Sequence, residues 1–454
     1  MKIIIVGAGE VGSHTASRLA LENKNVVVID ANPEALKRLS ESIDVQTITG
    51  SGSSPAILEA AGIREAEIML AVTDSDEINL VACLMGDTLS PTTKKLARLR
   101  GADFDHYHDV LKVNAPHIDT VINPEIEVVR TIERLMSVPG AVDVGEFADG
   151  RIKFVGVYME PDSRLAGVRL VDLPSVIEDD QPLIAALVRD DRLIIPKGHN
   201  HMRGGDLVYF ISEEKNLFKH LSIFDKHVTP VKRVMIVGGG RIGYRLAVRL
   251  EDKTLACKVI EKSASRCDVL AERLGRTVVL HGDGSDQSLL VEEGIHDTDL
   301  VVTLTGDEET NILASLLAKR LGAKKTITKI SKFSYFPIMS TIGIEQVVSP
   351  RLSAINTILQ HIRRGKVLSA IAIKGEEGEV MEAVALPTSD IVSKPLKKIA
   401  FPKGSMVAGI IRKKTIIIPR GDSVIEPDDR IIIFATREAI PGVEKILAVK
   451  LEYF

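Results

Sequence analysis

The residues best placed to do chemistry are two glycine-rich runs, GAGEVG at Gly7, Ala8, Gly9, Glu10, Val11 and Gly12, and GGGRIG at Gly238, Gly239, Gly240, Arg241, Ile242 and Gly243. Each follows a short apolar run and opens an amphipathic one. In a strand–turn–helix setting the first glycine permits a tight turn, the second lets a pyrophosphate approach the backbone, and the third lets the helix pack closely on the sheet. The helix N-terminus then offers free N–H groups and the positive end of its dipole to an anion. Asp30 lies 18 residues beyond Gly12, at the end of the next apolar run, and Glu261 repeats the arrangement. A carboxylate there accepts both ribose hydroxyls and repels a 2′-phosphate, which favours NAD or NADH, or another adenosine nucleotide such as ATP or ADP, over NADP.

Other residues belong to the same edge of the fold. Thr73 and Asp74, with Thr305 in the second copy, fall just after the fourth apolar run, where ligands bind in open α/β sheets. Thr at that place also serves as a helix cap, so both roles stand open. Arg98 and Arg100 in KLARLR are within reach of a phosphate, although arginines flanking a strand are more often solvated. The two copies differ in charge: Asp283 in GDGS stands where the first copy has Ser51, and Arg241 where it has Glu10. A guanidinium beside a polyphosphate is favourable and a carboxylate unfavourable, so the second copy is expected to hold the more highly charged nucleotides.

The run DFDHYHD contains His106 and His108, but its polarity and spacing suit a surface loop better than a metal site, and no metal is expected. No GxSxG, HExxH or paired His and Asp suggests a nucleophile or general base, so no catalytic residue is assigned and an enzyme is not expected. The same glycines would serve an NAD-dependent oxidoreductase, which is the alternative; turnover of NADH with a small carbonyl or hydroxy substrate would decide for it.

The elements that must position these residues are duplicated. At an offset of 231, Gly7, Gly9, Gly12 and Asp30 fall on Gly238, Gly240, Gly243 and Glu261; at 232, Gly50, Gly62, Thr73 and Asn79 fall on Gly282, Gly294, Thr305 and Asn311. The first copy reads KIIIV, NVVVI, DVQTI, IMLAV, KLARL, short β-branched runs separated by amphipathic stretches. Runs that are apolar throughout imply strands buried on both faces, hence parallel sheets flanked by helices. A second repeat, at an offset of 223, pairs LIAALVRDDRLIIPKG with MVAGIIRKKTIIIPRG. The expected class is α/β, two doubly wound Rossmann-like parallel-sheet domains, each followed by a small α+β module. The expected bounds are 1–137, 138–228, 229–366 and 367–454. Asn123 to Met136 and Arg351 to Arg364 read as helices, either bridging lobes or subunits or lying in a core.

The 454 residues exceed one hydrophobic core, and 45% hydrophobic with 26% charged residues suits globular domains. Lys and Arg number 58 against 62 Asp and Glu, a net charge of −4, so no basic surface for nucleic acid is expected. No apolar run approaches the roughly 18 residues of a membrane helix. The chain opens on KIIIV without a secretory leader, and its cysteines, Cys83, Cys257 and Cys267, form no CxxC pair. A reducing, cytoplasmic setting is expected.

Taken together, the A-B-A-B order, GAGEVG with Asp30, GGGRIG with Glu261, HGDGSDQSLL, and the two IIPKG and IIPRG modules resemble the TrkA family, the cytosolic regulatory subunits of Trk potassium uptake systems. The resemblance covers essentially the whole chain. It implies NAD(H) and adenine-nucleotide binding and a homo-oligomeric, tetrameric ring. It also implies docking on a membrane-embedded potassium-translocating subunit, so that the protein is peripheral on the inner face of the membrane. Regulation of another cation channel is the nearest variant of that role.

Overall fold

A computed structural model describes the chain except for residues 139, 178–180, 191, 227–229, 364–365, 374–376 and 448–454. The first sheet holds β1 (Lys2–Val6), β2 (Asn25–Asp30), β3 (Gln46–Thr49), β4 (Ile68–Ala71), β5 (Lys94–Arg98) and β6 (Thr120–Ile122). All are parallel, in the order β3-β2-β1-β4-β5-β6. Its central strands show why the runs are apolar throughout: Ile3, Ile4 and Ile5 are all fully buried, so both faces of β1 are covered. The antiparallel sheet that follows holds β7 (Asp143–Phe147), β8 (Ile152–Tyr158), β9 (Leu183–Arg189), β10 (Arg192–Ile194) and β11 (Leu207–Glu213), ordered β10-β9-β11-β8-β7.

The second half repeats both. β12 (Arg233–Val237), β13 (Ala256–Glu261), β14 (Val278–His281), β15 (Leu300–Thr303), β16 (Thr326–Lys329) and β17 (Gln346–Val348) form a parallel sheet ordered β14-β13-β12-β15-β16-β17. β18 (Val367–Ile373), β19 (Gly378–Val384), β20 (Ser405–Arg412), β21 (Thr415–Ile417) and β22 (Arg430–Thr436) form an antiparallel one ordered β18-β19-β22-β20-β21. The doubly wound class expected from the repeats is the observed one, with a sixth strand in each parallel sheet, β6 and β17, that three residues were too few to signal.

The chain forms two compact units, and the division does not fall at the midpoint. The first comprises Met1–Glu127 with Pro350–Arg363. The helix Pro350–Ile362 thus belongs to the first sheet although it follows the second in sequence. It buries Ala354, Ile355, Ile358 and Leu359 and packs against the helix Glu10–Leu21. At its end, Arg363 is fully buried and clamps Glu22, which also accepts from Arg18 Nε at 2.9 Å. His361 stands 3.3 Å from Thr120 Oγ1, and its carbonyl accepts from Lys94 Nζ at 3.3 Å. Sequence periodicity showed this helix but not its destination, which only packing decides.

Burial, together with the charges of Lys94 and Lys112 and against that of Asp119, lowers the His361 imidazole to about 4. A histidine depressed in the folded state contributes stability above its ordinary value of about 6.5, and that contribution is lost as pH falls through the folded value. The melting temperature of the first unit is therefore expected to fall between about pH 6.5 and 4. In His361→Gln that part of the pH profile should flatten.

The second unit comprises the remaining described residues. In it the two antiparallel sheets pack face to face. Phe154, Tyr209 and Ile211 from β8 and β11 meet Val380, Ile432 and Phe434 from β19 and β22, while the alternate residues Val155, Val208 and Phe210 face a separate core. That two-sided burial explains why these antiparallel strands read as continuous apolar runs. Glu382 is buried among them, accepting from Arg430 Nε at 2.6 Å and from the Ala148 N–H at 3.1 Å, and Arg430 reaches Asp149 at 2.7 Å.

Candidate nucleotide-binding sites

Each parallel sheet ends its first strand in the glycine turn, and the three glycines answer to different demands. Gly7 has φ +110°, and a Cβ there would lie 2.9 Å from the Thr73 nitrogen. At Gly12 a Cβ would lie 1.8 Å from the Gly7 carbonyl oxygen. These two glycines serve the fold. Gly9 is different: its φ of −68° and ψ of −174° suit any residue, and a Cβ there meets nothing within 4 Å. The same contrast recurs at Gly238 and Gly243 against Gly240, whose Cβ position is also open. Gly9 and Gly240 N-cap the helices Glu10–Leu21 and Arg241–Asp252 without a capping side chain. Each turn is thus a cradle over a helix N-terminus that a side chain would fill, and the residues fit a pyrophosphate.

Asp30 and Glu261 sit at the ends of β2 and β13, facing these turns. Asp30 accepts from the N–H groups of Ala8 (2.5 Å) and Asn32 (2.7 Å), and Glu261 from those of Gly239 (2.8 Å) and Ser263 (2.8 Å). Backbone donors orient each carboxylate and leave further lone pairs for ribose hydroxyls.

Thr73 and Thr305 do not cap the helices that follow them. Those helices are capped by Ser75, which accepts from the Ile78 N–H at 3.1 Å, and Asp307, which accepts from Thr310 at 2.7 Å. The threonines are instead held against a buried asparagine. Asn79 Oδ1 accepts from Thr73 N (2.9 Å) and Oγ1 (2.8 Å), while its Nδ2 donates to the carbonyls of Thr73 (3.1 Å) and Arg98 (2.8 Å). Asn311 makes the same four bonds with Thr305 and Lys329. Arg98 is turned inward to the loop, its Nη2 donating to the Thr73 carbonyl and to Asp74, both at 2.7 Å; Lys329 takes the first of these roles in the second copy. Arg100 Nη2 donates to the Asp74 carbonyl at 2.5 Å. The asparagines were visible as register landmarks in the repeat, but their role as loop organisers was not, because it depends on which carbonyls the fold brings within reach.

The second site carries cations that the first lacks in sequence. Arg266 Nε donates to the Gly239 carbonyl at 2.8 Å, and Lys262 pairs with Asp283 at 2.9 Å. Ser285, through side chain and backbone, and then Lys262 hold the Asp283 carboxyl well below the usual range. In the first copy Ala35 and Ala31 stand at the positions of Arg266 and Lys262, and Ser51 pairs with Ser53 at 2.7 Å. The first site has its own cation from elsewhere: Arg351, at the start of the helix Pro350–Ile362, lies 2.9 Å from Glu10. The charge contrast between Glu10 and Arg241 is therefore smaller in the fold than in the sequence. Among the described residues no cluster of His, Cys, Asp and Glu is arranged to hold a metal ion.

The TrkA-N domain family matches residues 3–124 and again 234–350, and the TrkA-C domain family matches 380–448. The chain is 36% identical to the Trk system potassium uptake protein TrkA of Azorhizobium caulinodans, with 100% of both chains covered. It is 37% identical to the protein of that name from Haemophilus influenzae, covering 98% of each, and 36% identical to TrkA homolog 1 of Methanosarcina mazei, covering 98% of this chain and 99% of that one. In fold it is similar to the GsuK RCK domain (TM-score 0.59, 18% identity, 98% of this chain and 94% of that chain). It is similar too to the GsuK channel bound to NAD (TM-score 0.59, 18% identity, 98% and 78%).

Proposed function

The chain belongs to the TrkA family of Trk potassium uptake proteins, and from that membership we propose that it is a non-enzymatic regulatory subunit whose two nucleotide sites gate a membrane-embedded potassium-translocating partner. The observation that carries the binding step is the open cradle at Gly9 and Gly240: the fold does not require glycine at either position, whereas a phosphate does. NAD or NADH suits both sites through Asp30 and Glu261, and ATP and ADP share the adenosine and phosphate groups that the sites address. The GsuK channel, similar in fold, has been solved bound to NAD.

Nucleotide shifts the arrangement of the lobes only by its difference in affinity between arrangements, so gating is a linkage between the sites and the pore. Among the described residues no helix is long and apolar enough to cross a membrane; in this reading the protein reaches the membrane from the cytoplasm through its partner. In this reading the chain assembles into a tetrameric ring, and two elements of the first unit offer exposed apolar side chains for association. Ile78, Val81 and Leu84 lie on the helix Asp76–Leu89, and Tyr107, Val110 and Val113 lie beside or on the helix His108–Val113.

With Arg241, Lys262 and Arg266 around it, the second site takes the more highly charged nucleotides. In full-length Gly9→Val, which leaves the second site to report, the ratio of ATP to NADH affinity should exceed that of Gly240→Val by about tenfold, measured by calorimetric titration. Equal ratios would remove this part of the assignment.

A further inference from the structure

We propose that Arg351 is a phosphate-contacting residue of the first nucleotide site, so that nucleotides carrying a di- or triphosphate, unlike adenosine, fasten the helix Pro350–Ile362 to that site. This rests on the nucleotide reading of the Gly7–Gly12 turn and adds to it a residue from more than three hundred positions away in sequence.

Glu10 is the first residue of the helix Glu10–Leu21 and directly follows Gly9, so the guanidinium that pairs with it stands at the phosphate end of that helix. The two partners are unequally held: the Arg351 side chain is 24% exposed and that of Glu10 is 67% exposed. The carboxylate is the member that can swing into solvent. A phosphate seated over Gly9 repels that carboxylate and offers the guanidinium a planar, charge-assisted pair of acceptors, which favours Arg351 over Lys for the role. Arg351 then exchanges Glu10 for phosphate without leaving its place.

The helix that carries Arg351 is also held at its far end. Arg363 is clamped on Glu22, and His361 lies against Thr120. The same two sequence positions carry the opposite charges when the copies are exchanged: Arg241 follows Gly240 and Glu125 follows Pro124. The charge at each helix start is thus opposite to the one that follows the glycine turn of the other copy.

The test uses the full-length chain carrying Gly240→Val, so that titration reports the first site. Arg351→Ala is expected to weaken ATP and ADP about tenfold and adenosine less than about twofold. Glu10→Gln is expected to strengthen ATP. The deciding variant is Glu10→Gln with Arg351→Ala. If Arg351 contacts phosphate, this variant binds ATP about tenfold more weakly than Glu10→Gln alone; if Arg351 only neutralises Glu10, the two bind equally and the proposal is overturned. Hydrogen exchange over 350–362 gives a second readout. ATP should slow exchange in the Gly240→Val chain and leave it unchanged once Arg351 is removed, whereas equal slowing in both would also overturn the proposal. Failure of the Gly240→Val chain to bind any of NADH, ATP or ADP would instead overturn the nucleotide reading itself.

Discussion

Gly9→Val in the full-length chain is expected to lose nucleotide affinity at the first site by more than about 100-fold while melting within about 2 °C of the parent. The backbone at Gly9 is extended and acceptable to any residue, and its Cβ position is open, so the fold has no reason to resist the change. The same methyl groups occupy the space through which a pyrophosphate must approach the helix N-terminus. Gly12→Ala should behave in the opposite sense. Its Cβ would lie 1.8 Å from the Gly7 carbonyl, and relieving that clash moves helix against strand at a cost of about 3 kcal/mol. Paired thermal melts and NADH titrations separate the two. A Gly9→Val protein that binds as tightly as the parent would show that the turn is a packing device only.

Glu22→Ala is expected to destabilise the first unit by about 3–5 kcal/mol, read as a loss in denaturant midpoint at constant slope. Arg18, Glu22 and Arg363 are all at least nine-tenths buried, and removing the carboxylate takes from two guanidinium groups the anion that they share out of water. The loss should be concentrated where the helix Pro350–Ile362 docks, so hydrogen exchange there should accelerate more than in β1 or β4. Replacing all three charges, Arg18→Met with Glu22→Leu and Arg363→Met, should recover most of the loss. Failure to recover would mean that the hydrogen bonds, rather than the unbalanced charge, hold the helix.

The parallel sheets were legible because their strands are buried on both faces, which leaves uninterrupted apolar runs, and because the duplication set GAGEVG and Asp30 against GGGRIG and Glu261 in register. The glycines were legible as a motif, but their division of labour was not: that a Cβ at Gly12 would strike backbone while one at Gly9 would meet nothing within 4 Å is a fact of three dimensions. Thr73 illustrates a different limit. A threonine just before a helix is a natural cap on propensity grounds, yet Ser75 and Asp307 take the caps and leave the threonines to Asn79 and Asn311, a choice settled by a shift of two residues. The placement of Pro350–Ile362 on the first sheet, and with it the pairing of Arg351 with Glu10, has no local signal at all, since an amphipathic helix records that it is buried but not against what.

The most direct test of the regulatory assignment is to seek a membrane subunit that co-purifies with this protein and to measure potassium flux through it, reconstituted with the full-length chain and titrated with ATP and NADH. The account predicts that flux responds to nucleotide with the parent chain and becomes unresponsive with a Gly9→Val, Gly240→Val chain that still assembles with the membrane subunit. A flux that follows nucleotide equally well with both chains would contradict it.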